Sequence, residues 1–215
     1  MAVDADIRAL ILEGELVPGQ RLIESELVER FGASRAAVRD AFGRLEGEGL
    51  VERVQNRGAR VRVIPFDEAI EITEVRRALE SLCAGKAAER VTDDEIAELR
   101  GIAAQMKDAA GSGDVGEYGL LNRRLHACIH EISGQGTARA LIARLRGQIV
   151  RHQYRLAMKP GRPAKSVEEH IAIVDAICAR DRVAAEAAMA AHIDSVLAAM
   201  RQTNRAATEE AAAAL

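Results

Sequence analysis

Residues 22–62 constrain this chain more than any other stretch, because helical and strand periodicities succeed one another there in an order few folds use. Leu27, Val28 and Phe31 fall at helical spacing, and Gly32 supplies the backbone freedom for a tight stop. Past the Gly32-Ala33 turn, Ser34 stands at an N-cap position. The helix that follows turns Val38, Phe42 and Leu45 to one face and Arg35, Arg39 and Arg44 to the other. Beyond Gly49, residues 50–54 and 59–63 form two short alternating runs. They are joined by Gln55-Asn56-Arg57-Gly58, whose Asn and Gly tolerate positive φ. The order predicts a helix-turn-helix followed by a β-hairpin wing.

Charge gives that pattern a partner. Between residues 30 and 62 eight arginines stand against four acids, in a chain whose formal net charge is −3. A recognition helix enters the major groove by its N-terminal end, and the planar fork of arginine pairs with guanine edges or clamps phosphates. Arg35, Arg39 and Arg44, a phosphate hydrogen bond from Ser34, and the basic wing tip at Arg57 are therefore the candidate contacts to double-stranded DNA. A charge run alone is usually a solvated face. The ordered succession of helix, glycine turn, capped arginine helix and glycine hairpin is what favours DNA.

The same residues carry a resemblance. Leu12-Glu13-Gly14, Pro18-Gly19-Gln20-Arg21-Leu22, Glu26-Leu27, Ser34-Arg35-Ala36-Ala37-Val38-Arg39-Asp40-Ala41, Leu45-Glu46 and Glu48-Gly49-Leu50-Val51 resemble the GntR superfamily of bacterial transcriptional regulators. The resemblance implies base and phosphate contacts from Ser34, Arg35, Arg39 and Gly58. It does not carry over an operator sequence: Ser25 stands where members often have arginine, and Ala36 and Ala37 are small and apolar.

The rest of the chain reads as helix. With 48% hydrophobic but only 2% aromatic residues, its core must be aliphatic and alanine-rich, which favours packed helices. No unbroken apolar run approaches the roughly 20 residues of a membrane span, and the first residues lack a secretory pattern, so the expectation is a cytoplasmic protein with no membrane partner. Cys83, Cys128 and Cys178 are odd in number, far apart and set in apolar helical patterns, which speaks for core packing over disulfides or zinc motifs.

Pro65 and a capping Asp67 set the boundary, giving a winged helix-turn-helix over 1–66, an all-α antiparallel bundle over 67–203 for effector binding and dimerisation, and a disordered tail over 204–215. Six helices are expected after the wing. The first, about 67–90, shows Ile70, Val75, Leu79 and Leu82; the next opens at the capping box Thr92-Asp93-Asp94-Glu95. Helices follow over about 114–132 and 137–158. A second capping box, Ser166-Val167-Glu168-Glu169, opens a helix to about 180, and the last continues past Asp181.

Asn122 and His126 share a helix face, and the phases of His170 and His192 let both look into the bundle. Three imidazoles on facing helices can be the first shell of Zn²⁺, or of Ni²⁺ or another transition metal, with Asn122 adding an amide oxygen. Hydrogen-bonded core histidines would give the same pattern.

Glu74-Val75-Arg76-Arg77-Ala78-Leu79-Glu80, Asn122-Arg123-Arg124-Leu125-His126, residues 169–177 and Ala191-His192-Ile193 resemble the FCD effector domain of the FadR-like branch. The resemblance implies a metal held by Asn122, His126, His170 and His192, although aspartate is common where this chain has Asn122. It also implies an acidic effector met by Arg76, whose alternative partner is Glu80 at the spacing of a surface ion pair. Arg151 and Tyr154 are further pocket candidates. The reading is a homodimeric repressor on a palindromic operator, released by a small carboxylate; the alternatives are a purely structural metal or a metal-free acidic-ligand pocket. A metalloenzyme using His126-Ala127-Cys128-Ile129-His130 fails, because Ala127 occupies the place of the general base.

Overall fold

Ser34 caps its helix as expected: Oγ accepts from the backbone N–H of Ala37 at 3.1 Å and opens α3, Arg35–Gly47. Before it, α1 (Val3–Leu12) and β1 (Arg21–Leu22) lead to α2 (Glu24–Phe31), which stops at Gly32 with φ +58°. The wing follows as β2 (Val51–Val54) and β3 (Gly58–Val61). The structure, a computed structural model, describes residues 2–54, 58–157, 159 and 161–213. Arg57 of the expected wing tip lies outside the described residues.

The hairpin is part of a three-stranded antiparallel sheet in the order β1-β3-β2, one strand more than the alternation suggests. Leu22 pairs with Ala59 and Val54 with Gly58. Gly58 has φ +84°, and a Cβ there would stand 2.9 Å from the Leu22 carbonyl oxygen, so backbone geometry alone requires glycine. Ile7, Leu27, Val38, Phe42, Leu45, Leu50 and Val61 form the core of this unit.

Contacts divide the chain into two compact units: Met1–Glu68 with Arg144–Arg151, and Ala69–Ala143 with His152–Leu215. In the first, the side-chain amide of Gln148 donates to the Glu48 carbonyl at 2.7 Å, joined by Arg144 Nε at 3.2 Å.

The second unit is helical: α4 (Phe66–Arg90, from Ala69), α5 (Asp93–Ser112), α6 (Val115–Ile132), α7 (Gly136–Gln148, to Ala143), α8 (Val150–Ala157, from His152), α9 (Arg162–Cys178) and α10 (Arg182–Ala213). The Thr92 capping box opens α5 with both reciprocal bonds formed. Leu99, Ile102, Met106, Leu125, Ile129, Ile173, Ile177, Met189 and Ile193 make the aliphatic core. Cys83 and Cys178 are buried and Cys128 half-buried, all as free thiols.

Four expectations change. The helix read over 137–158 is two, α7 and α8, parted at the fully buried Ile149. On α4 the inward face is Ala69, Ile72, Thr73, Arg76, Glu80, Cys83, Ala84 and Ala87, while Val75 is 53% exposed. Small side chains let α4 pack closely, and its polar residues have partners inside. Helix α9 begins at Arg162, after Gly161 and with Pro163 in its first turn, so the box read at Ser166–Glu169 is helix interior. Helix α10 continues through Ala213, into the segment read as a tail. By length and composition its part Arg182–Ala206 could cross a membrane, but Ala185, Met189, Ile193, Leu197 and Met200 are buried in this structure.

Candidate DNA-binding face and metal centre

On α3 the outward arginines are exposed, as the helical phase requires, and most are already paired. Arg39 Nε donates to both Glu24 carboxylate oxygens at 3.1 and 3.0 Å, and Arg44 lies 3.3 Å from Asp4. On the wing side Arg53 meets Glu46 at 3.2 Å and Arg60 meets Glu52 at 2.5 Å. Arg35 is exposed and makes no ion pair among the described residues. Exposed pairs contribute about 0–1 kcal/mol, so a phosphate can take over a guanidinium at little cost. Ser34 is engaged in its own cap, leaving its hydroxyl proton to donate outward. Replacing Arg39 by alanine should lower affinity for a cognate operator by about 1–3 kcal/mol, and leave stability within about 0.5 kcal/mol of the parent. Fluorescence anisotropy at fixed salt, with thermal unfolding alongside, checks both halves.

The helical unit brings three predicted histidines together. His126 from α6, His170 from α9 and His192 from α10 are 3%, 1% and 5% exposed, and one ring nitrogen of each lies within 4.8 Å of the others. Ring centroids are 4.4 Å apart for His170 and His192 and 5.3 Å for His126 and His170. The Nε2 atoms of His126 and His170 are 3.2 Å apart. Two imidazoles bound tetrahedrally at the usual Zn–N distance would stand about 3.3 Å apart. Asn122, one turn before His126, has a buried Oδ1 with no hydrogen-bond partner among the described residues, an acceptor in need of a cation or donor. The residues present therefore fit a divalent metal.

Each ring is met from behind. His192 Nδ1 is 2.8 Å from Glu169 Oε2, and Glu169 is gripped by Arg162 through Nη1 and Nη2 at 3.1 and 3.0 Å. His170 Nδ1 lies 3.3 Å from both the Tyr118 hydroxyl and Ser166 Oγ. His126 Nδ1 lies 2.9 Å from Oε2 of Glu80, whose Oε1 accepts from Arg76 Nε at 2.9 Å and from Arg76 Nη2.

Electrostatics follow from these contacts. Burial pushes the Glu80 carboxyl up, but the Arg76 guanidinium and the His126 and His130 imidazoles hold it well below the carboxylate range. Burial also raises Glu169, yet His192 and Arg162 keep it at about 2. Burial, with His192 and His126 beside it, drives His170 well below the usual histidine value, so the ring is neutral and can ligate.

Arg76 is a buried residue, 4% exposed and paired with a fully buried Glu80, which replaces the surface pair that spacing alone suggests. Its Nη1 makes no hydrogen bond among the described residues. Arg151 is exposed and groups with the first unit, whereas the clustered histidines belong to the second. The Tyr154 side chain lies outside the described residues. Sequence reasoning missed Glu80, Tyr118, Arg162, Ser166 and Glu169 as parts of the site. His130 is buried too, with Nε2 3.8 Å from Glu80 Oε2; Glu80, His126 and His130 are a second group of metal-compatible spacing, in which Arg76 takes Glu80 Oε1 while Glu80 Oε2 and His130 Nε2 make no hydrogen bond among the described residues.

Two family descriptions match the chain: "Bacterial regulatory proteins, gntR family" over residues 1–61 and "FCD domain" over residues 71–195. The chain belongs to the GntR family. Its FCD domain holds all three clustered histidines, and members of this family are DNA-binding transcriptional regulators, not enzymes. Among GntR relatives, the HTH-type transcriptional repressor RspR of Escherichia coli is 27% identical over 196 residues, covering 91% of this chain and 86% of RspR. A probable D-xylose utilization operon transcriptional repressor of Paenarthrobacter nicotinovorans is 30% identical over 195 residues, with 90% and 85% covered. The solved structure of E. coli McbR/YncC superposes with a TM-score of 0.79 at 24% identity, covering 94% of this chain and 96% of McbR, which shows the shared fold. This GntR protein is thus a transcriptional regulator with an FCD effector-binding domain.

Proposed function

We propose that this regulator is a metal-dependent carboxylate sensor: a cytoplasmic homodimeric repressor that leaves a palindromic operator when a small carboxylate binds its helical unit. Asn122, His126, His170 and His192 would hold the ion. The observation that carries the reading is the trio of buried imidazoles, each met at Nδ1 from behind, with one nitrogen of each close together and a partnerless amide oxygen one helical turn before His126. The ion, Zn²⁺ first by ligand type, supplies Lewis acidity toward a carboxylate oxygen. With four neutral ligands the site keeps the ion's full positive charge, which selects an anion. Arg76 steadies Glu80 through Nε and Nη2, and its guanidinium is the candidate partner of the same anion's carboxylate. On DNA, the exposed Arg35, Arg39 and Arg44 read the major groove with Ser34, and Gly58 sets the wing.

Any effector must bind the two DNA-related conformations with different affinity, since equal affinity would shift nothing. The test is operator binding by anisotropy, with a panel of small dicarboxylates and hydroxy acids added to Zn²⁺-loaded and to chelator-treated protein. The reading expects at least one acid to weaken DNA binding in the loaded protein and to lose its effect after chelation. Equal responses in both would contradict it. The near-complete burial of the ligand nitrogens also supports a structural ion; that reading wins if chelation melts the helical unit while no acid alters DNA binding.

A further inference from the structure

We infer that Arg162 and Glu169 are positioning residues of the histidine site, acting on His192 through an arginine–carboxylate–imidazole chain. The inference rests on the proposed metal site and deepens it.

The chain starts at the first turn of α9. Arg162 is 8% exposed, an unusual place for a guanidinium, and its fork is spent on Glu169 one side and on Ser195 Oγ, 3.1 Å away on α10, on the other. Glu169 then presents Oε2 to His192 Nδ1 at 2.8 Å. An ionised carboxylate can only accept, so Nδ1 must carry the hydrogen and the Nε2 lone pair is left for a ligand. The bidentate grip removes the freedom of Glu169 to turn away, which fixes the ring plane as well as the tautomer. If burial of polar groups were the only purpose, Arg162 and Glu169 could satisfy each other without spending an oxygen on the imidazole.

A similar order stands on α4 and α6, where Arg76 occupies Glu80 Oε1 and Oε2 lies 2.9 Å from His126 Nδ1, although Oε2 makes no hydrogen bond among the described residues. Two of the three rings are thus backed by an ion pair of no net charge. The third, His170, is backed by the hydroxyls of Tyr118 and Ser166. The arrangement orients the ligands without neutralising the ion, so the charge that would attract an anion is preserved.

The test uses full-length protein carrying Glu169→Gln, with Arg162→Lys as a milder variant that keeps the charge but loses the fork. Glu98→Gln, from an exposed pair with Arg124, is the control. Zn²⁺ affinity is read by competition with a chromophoric chelator. Glu169→Gln should bind about 10–100-fold more weakly, Arg162→Lys should fall between it and the parent, and the control should match the parent. Nitrogen-15 spectra of metal-free protein should show His192 in the Nδ1–H form in the parent and a mixture of tautomers in Glu169→Gln. A loaded parent whose Glu169→Gln and Arg162→Lys variants bind Zn²⁺ within twofold of it would overturn the positioning role alone. A folded parent that takes up no Zn²⁺ would overturn the site and this role together.

Discussion

Glu80→Ala, measured on chelator-treated protein, should lose about 3–5 kcal/mol of unfolding free energy, because it leaves a buried guanidinium without its counter-charge. Glu80 is fully buried and Arg76 is 4% exposed, so water cannot replace the lost carboxylate. Arg76 would forfeit both of its bonds to Oε1, and His126 Nδ1 its neighbour at 2.9 Å. Urea titration followed by circular dichroism reads the difference directly. Replacing both partners at once, with Arg76→Met and Glu80→Leu, should recover most of the loss, since an apolar pair of similar volume removes the uncompensated charge. A loss below about 1 kcal/mol for the single change would mean that Arg76 reaches solvent and that the pair belongs to the surface after all.

Leu45→Ala is expected to weaken DNA binding without touching a base or phosphate. Leu45 is fully buried on α3, packed with Ile7, Val38, Phe42 and Leu50 in the core of the first unit. Truncating such a leucine removes its transfer free energy and leaves a cavity, a combined cost of about 2–5 kcal/mol. That is much of what a unit of this size holds in reserve, given typical domain stabilities of about 5–15 kcal/mol. Hydrogen exchange should report loss of protection over α3 and the wing, with the helical unit still protected. Arg39→Ala is the counterpart, since it should weaken binding while leaving exchange unchanged. Leu45→Ala protein that still binds operator as the parent does would show that the α3 core is not what presents the arginines.

The winged helix was legible because its signals are local. Ser34, Gly32 and the alternation of residues 51–54 and 58–61 each specify backbone conformation within a few residues of themselves. Strand β1 was not, because two residues show no period and Arg21–Leu22 is a strand only by pairing with Arg60 and Ala59. The histidine cluster was legible in outline, since helical phase alone turns His126, His170 and His192 inward. Its backing was not, because spacing does not encode burial. Arg76 and Glu80 are four apart like any surface pair, and Ser166 with Glu169 has the spacing of a capping box. Gly161 and Pro163 start α9 a turn earlier and free both side chains for the histidines. On α4 the apolar residues Val75 and Leu82 suggested the wrong inward face, because the packed face there is mostly alanine and an ion pair.

The most direct measurement is elemental analysis of untagged protein purified without chelator. The account predicts about one divalent transition metal per chain, removed when His170 is replaced by alanine. A folded, operator-binding protein that carries no metal and takes up none when Zn²⁺ is supplied would contradict it.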